Sequence, residues 1–348
     1  MSRSNRFGRA GSPLSALLAG VVLSCSTLAF PEDGGKSEMK LPDLPEGITS
    51  FGAAKSGDSI FVYGGNVGEA HSYNLESQTK AFRQLDLTNP DGWHNIPVTG
   101  PPLQGLAMVA DGEVLYRLGG FNAENQPDEE QDLHSRDFVQ AYDRRAMQPG
   151  WDDLTPLPEP RSSFDAIVLD GRVYVAGGWS LNGGSETEWH KTAWSADLSK
   201  RPLQWESLTE PPFLRRALAL AAHDGKIWVM GGMSPEGPSG RVDVYDPRTK
   251  NWSLGPEIDG DTQLKGFGVA AFGIESGLYA STMSGNLLRL SDDGSSWELV
   301  QELERKRYFH RMLPGGDDKL VLLGGTSMHE GRHTEVDVIE AIRRDSKD

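Results

Sequence analysis

Three arginines and a lysine recur at one place in the chain's spacing. Arg161, Arg215 and Arg307 each stand ten residues after a tryptophan (Trp151, Trp205 and Trp297), and Lys265 follows Trp252 by thirteen. Brought to one opening, such cations suit a carboxylate, which guanidinium groups hold through paired, charge-assisted hydrogen bonds. Arginine at this position also suits another task, bracing neighbouring turns, and the sequence leaves both open. His310 lies three residues past Arg307. Imidazole ordinarily titrates near neutrality, which makes His310 the candidate acid or base beside the cations. Trp179 and Trp189 bracket a glycine-containing stretch, where exposed indoles would stack on a sugar ring.

Two other constellations carry less weight. His329-Glu330-Gly331-Arg332-His333 spells a zinc-protease motif letter for letter. That chemistry needs a helix, so that both imidazoles share a face and the glutamate poises a water. Here Gly331 interrupts the motif, a glycine pair precedes it and no amphipathic helix surrounds it, so a strand-connecting loop is expected and no metal. Asp128, Glu129, Glu130 and Asp132 offer hard oxygen ligands of the kind calcium takes, but at irregular spacing. A solvated acidic loop is the expectation.

The elements that position these residues come from an internal repeat. A glycine pair follows an apolar run at Gly64-Gly65, Gly119-Gly120, Gly177-Gly178, Gly231-Gly232 and Gly324-Gly325. The widest gap holds a worn copy at Gly277-Leu278-Tyr279-Ala280-Ser281, which makes six units. Asp111-Gly112, Asp170-Gly171 and Asp224-Gly225 mark tight hairpins before the pairs. Val242-Asp243-Val244-Tyr245 alternates as a third strand, and Trp93, Trp151, Trp205, Trp252 and Trp297 open a fourth. Four short antiparallel strands per unit make an all-β, six-bladed propeller.

Hairpin, double glycine, spaced aromatic, tryptophan and a proline-rich turn into arginine resemble the Kelch repeat, over about residues 38–341. The resemblance implies the fold and says little of function. Some Kelch propellers are copper enzymes of the galactose-oxidase kind, whose cofactor needs a cross-linked cysteine. Cys25 is the sole cysteine and lies in the leader, so no copper cofactor is expected. The last unit runs out after its third strand, and Met39–Pro45 is expected to supply the fourth, closing the ring and hiding an edge.

Residues 1–29 read as a cleaved signal peptide: Arg3, Arg6 and Arg9, then an uncharged apolar stretch too short to span a bilayer. A lipid anchor at Cys25 is the weaker alternative. Residues 30–348 form one propeller domain, exported to the periplasm or beyond. Formal charge is −16, which offers nucleic acid no basic field. The expected function is a binding module, taking a small ligand, glycan or protein on its top face. The alternative comes from resemblance to the bacterial Kelch sialic-acid mutarotases. In it Arg161, Arg215 and Arg307 hold an acidic sugar's carboxylate and His310 carries the proton.

Overall fold

The computed structural model describes residues 40–341 apart from positions 99, 185, 259–263 and 317. The leader and Met39 lie outside that range. The described residues form six antiparallel blades without a helix. The first blade runs through Gly52–Ser56, Ser59–Tyr63, Phe82–Asp86 and His94–Asn95, each strand pairing with the next. The next four repeat that order, with first strands at Ala107–Asp111, Asp165–Leu169, Ala219–His223 and Ala270–Ile274. The sixth has long strands Tyr308–Gly316 and Lys319–Ser327, then Val336–Glu340. No helix among the described residues is long and apolar enough to cross a membrane.

Each seam between blades is an apolar cluster. Between the second and third blades, for example, Leu118, Phe164, Val173 and Val175 are all 3 % exposed or less. Each fully buried side chain of this size contributes about 1.5–3 kcal/mol.

The glycine pairs are joints. The second glycine's N–H reaches the carbonyl at the start of the next blade: Gly65 to Leu103, Gly120 to Arg161, Gly178 to Arg215 and Gly232 to Gly266, at 2.7–2.8 Å. Gly325 closes the circle on Ile48 at 2.8 Å. The first glycine must also be glycine. Gly324 has φ +62°, and a Cβ there would lie 2.5 Å from the Phe51 ring.

Two residues beyond each joint the backbone turns left-handed, at Ser50, Gly105, Ser163, Ala217, Gly268 and Phe309. This fixes the register of all six units. It puts Gly266, not Lys265, at the position of Arg161, Arg215 and Arg307. The longer run after Trp252, which includes positions 259–263, had shifted the count by one.

The N-terminal segment closes the ring as a tail rather than as a full strand. Indole N–H groups link successive blades: Trp205 to the Thr155 carbonyl, Trp252 to Thr209 and Trp297 to Pro256, each acceptor four residues past the previous tryptophan. Trp93 donates to Pro42 in the same way, at 3.1 Å. The Leu44 N–H meets the Thr334 carbonyl at 2.7 Å, as Leu157 meets Asp137 in the second blade. Leu41 and Leu44 are buried with Leu313 and Val336 of the last blade. Residues 40–45 show no strand ladder, since Pro42 and Pro45 have no N–H to donate.

Candidate functional site

A cavity of about 610 Å³ runs along the axis, walled by the first strands of all six blades and by loops of the first three. The loops after the second and third glycine pairs fold back as two-stranded flaps, Phe121–Ala123 with Leu133–Ser135 and Trp179–Ser180 with Glu188–Trp189. Phe121, Leu133 and Trp179 thereby reach the wall.

The three arginines of the repeat do not. Arg161, Arg215 and Arg307 are at most 1 % exposed. Each binds its own blade's first glycine carbonyl through Nη1: Gly177 at 2.8 Å, Gly231 at 2.7 Å and Gly324 at 2.8 Å. Nη1 also reaches a carbonyl at the head of the third strand, from Thr192, Arg241 or Glu335. Nη2 pairs with Glu159, Asp243 or Asp337. Burial pulls Arg161 and Arg215 down to about 10, against the carboxylates that favour the charge. Both stay cationic at neutral pH. The expected carboxylate ring is therefore a set of within-blade braces. Lys265 is apart from the cavity as well, ion-paired with Glu257 at 2.7 Å on the surface.

His310 stands in the cavity wall with its imidazole sealed in the seam between the fifth and sixth blades. Its Nε2 lies 2.6 Å from Ser281 Oγ, and its Nδ1 has no partner. Burial first, then the charges of Arg307 and Arg311 and the nearby His333, push it down to about 3. It is neutral at pH 7 and no near-neutral proton carrier. The same position holds Phe51, Leu106, Phe164, Leu218 and Val269 in the other blades, all buried. In the fourth-to-fifth seam Met230 and Val269 share one cluster. Ser281 and His310 replace such a pair with a hydrogen bond.

The arginines in the wall are Arg216, next to Arg215, and Arg311, next to His310; Lys55 is the remaining cation there. Arg216 lies over the Trp179 ring at 3.9 Å, with Trp189 behind at 5.6 Å. Trp179 thus lines the cavity with a guanidinium on its face, and Trp189 backs it without reaching the wall. Burial lowers the Arg216 pKa, Tyr73 alone opposing it. Its Nε is buried without a partner, and no ion pair holds it among the described residues. Arg311 instead crosses the axis. It donates to the Phe51 and Leu106 carbonyls and to Asp165, each at 2.9 Å. The second Asp165 oxygen takes the Leu220 N–H at 2.9 Å. Five blades meet on this one pair. The corresponding positions elsewhere are Gly52, Ala107, Ala219 and Ala270, small enough to leave it room.

Reading along the sequence missed Arg216 and Arg311. For Arg216 the available signal was adjacency to the Arg215 brace, since on extended backbone neighbours face opposite ways. For Arg311 it was adjacency to the buried His310 on the first strand of its blade.

The protease-like motif spans a turn and the short strand Gly331–Arg332. His329 is exposed and His333 buried, so the two imidazoles share no helical face. In the acidic loop Asp128, Glu129 and Glu130 are exposed. Glu124, Asp132 and His134 gather within 4.8 Å, with Glu124 paired to Arg136 and Asp132 to His134.

A model of the KLHDC2/KLHL20/DRC7 Kelch-repeats domain matches residues 50–285. Among curated proteins the chain is 29% identical over 296 residues to an N-acetylneuraminate epimerase of Brucella suis, covering 81% of this chain and 67% of that one. It is 28% identical over 244 residues to an N-(sulfonatooxy)prop-2-enimidothioate sulfolyase of Thlaspi arvense, 63% of this chain and 65% of the relative. The chain thus spans about two thirds of those relatives' length. A solved structure titled "Structure of YjhT" superposes with a TM-score of 0.66 at 18% identity, over 86% of this chain and 97% of that one. At that identity the likeness speaks for the fold.

Proposed function

We propose that the central cavity of this chain, which belongs to the Kelch-repeat family, is a receptor for a small carboxylate-bearing sugar. One observation carries the reading: Arg216, a half-buried guanidinium with no carboxylate partner among the described residues, faces a cavity of about 610 Å³ in a chain of net charge −16. A buried cation without a counter-charge is costly, and an anionic ligand relieves the cost. Trp179 holds the guanidinium flat from behind, which lowers the entropy lost on binding. Asp165 is no competitor, because both its oxygens are already engaged.

Calorimetric titration with N-acetylneuraminate and with its neutral methyl ester tests this. The acid should bind and the ester should bind far more weakly. Arg216→Ala should lose about tenfold to a hundredfold in affinity for the acid, the worth of a charged hydrogen bond, with an unchanged melting midpoint. Equal affinity for acid and ester would overturn the reading.

A second reading is interconversion of the sugar's anomers in the same cavity. It is supported by the Brucella relative, named an N-acetylneuraminate epimerase. In either reading the protein works outside the cytoplasm after residues 1–29 are removed. N-terminal sequencing of the exported form should begin near Phe30.

A further inference from the structure

Four residues of the cavity wall carry a proton that acid–base chemistry exchanges: Lys55, Tyr73, Asp165 and His310. Three are committed elsewhere. Asp165 is held between Arg311 and the Leu220 N–H. His310 is locked to Ser281 inside a seam. Lys55 donates to the Gly57 carbonyl at 2.8 Å, at the hairpin end of its blade.

Tyr73 differs. It sits on the loop after the first glycine pair, and that loop is fastened to the second blade. The Leu75 N–H meets the Asn125 carbonyl at 3.0 Å, and Asn125 Nδ2 meets the Tyr73 carbonyl at 3.1 Å. Gln78 exchanges two 2.9 Å bonds with the Ala123 backbone. The Tyr73 ring packs on Phe121 at 5.9 Å. Its hydroxyl takes no hydrogen bond among the described residues, and its field partner is Arg216 of the opposite blade.

We infer that Tyr73 is the catalytic acid of this cavity, giving its proton to the ring oxygen of a sugar whose carboxylate is held by Arg216; the inference rests on the anomer-interconverting reading. As that proton arrives, the bond between ring oxygen and anomeric carbon breaks. The O–H electrons of the anomeric hydroxyl become the carbonyl bond, and its proton passes through a water to the phenolate. Rotation of the freed carbonyl and reversal of the steps give the other anomer, with nothing consumed. Burial raises the phenol's pKa and Arg216 draws it back, so the group is protonated at neutral pH and its phenolate is short-lived.

The test uses the intact protein, N-acetylneuraminate, calorimetry for binding and magnetisation-exchange NMR for the rate between anomers. Tyr73→Phe removes one oxygen and keeps the ring on Phe121. It should bind within about threefold of wild type while its rate acceleration falls roughly a hundredfold or more. Arg216→Ala should instead show its loss in affinity, about tenfold to a hundredfold. A Tyr73→Phe protein that keeps the wild-type rate overturns the inference, and so does one whose rate falls only in step with its affinity. Wild type that binds without accelerating exchange overturns the inference and the isomerase reading and leaves the receptor standing. Wild type that does not bind overturns all three.

Discussion

Arg215 and Arg216 sit side by side in the chain, yet they belong to two regions built on different rules. Arg215 is in the blade shell, 1 % exposed, with the Gly231 and Arg241 carbonyls and Asp243 around it. Arg216 faces the axial cavity with an indole behind it and no counter-charge among the described residues. The shell gives each brace guanidinium two backbone carbonyls and a carboxylate, because water cannot reach it. Both leave Nε without a partner, but only the cavity leaves the guanidinium without a carboxylate among the described residues, which stability alone would not favour. Here the arginine that repeats is a brace, and the one beside it, which does not repeat, is the contact that the proposed receptor requires.

The sharpest way to break that contrast is to remove the brace. Arg215→Ala leaves Asp243, 0 % exposed, with Arg241 alone. Deleting one partner of a buried pair costs about 3–5 kcal/mol, and denaturant unfolding should show a loss of that size. Affinity of the folded fraction for an acidic sugar should stay at the wild-type value. A fall in affinity to match Arg216→Ala would erase the distinction between shell and cavity.

This division also marks what the sequence could disclose. Glycine pairs and tryptophans are legible because each answers a backbone or packing demand that recurs in every blade, as at Gly324 against Phe51. Kelch architecture follows from them. Side-chain direction is less legible, since one residue of register reverses it. Arg161, Arg215 and Arg307 were correctly aligned with one another and aimed at the wrong place. Lys265 was misaligned by one residue. His310 looked free to titrate because its partner, Ser281, lies in the neighbouring blade's worn repeat, 29 residues earlier. The cavity's own residues, Tyr73, Arg216 and Arg311, come from three blades, and no local pattern joins them.

His310 sharpens the comparison through pH. Its folded pKa is depressed to about 3, by burial before all else, against an ordinary 6.5. The unfolded chain therefore binds this proton more readily. The stability concerned is present above about pH 6.5 and is lost as pH falls from there toward 3, at a slope of up to ~1.4 kcal/mol per unit. Ser281→Met with His310→Val copies the Met230–Val269 pair of the neighbouring seam. Melting curves between pH 7 and 5 should fall more steeply for wild type than for the double variant. Parallel curves would mean that the seam does not hold the imidazole neutral.

The smallest effect concerns how the shell closes on itself. Trp93 and Trp151 open equivalent strands, and both indoles pack against seam clusters. The Trp93 Nε1 donates to Pro42 in the borrowed tail, whereas the Trp151 Nε1 is buried without a partner. Phenylalanine keeps an aromatic ring at either position, against Arg117 and three rings in the case of Trp151, and removes an Nε1–H that is bonded only at Trp93, a bond worth about 0.5–1.5 kcal/mol net. Trp93→Phe should be destabilising by that margin in urea unfolding, with sugar affinity unchanged in both. If Trp93→Phe costs nothing measurable, the indole bond to Pro42 contributes nothing to closure, and Leu41, Leu44 and the Leu44–Thr334 backbone bond hold the tail.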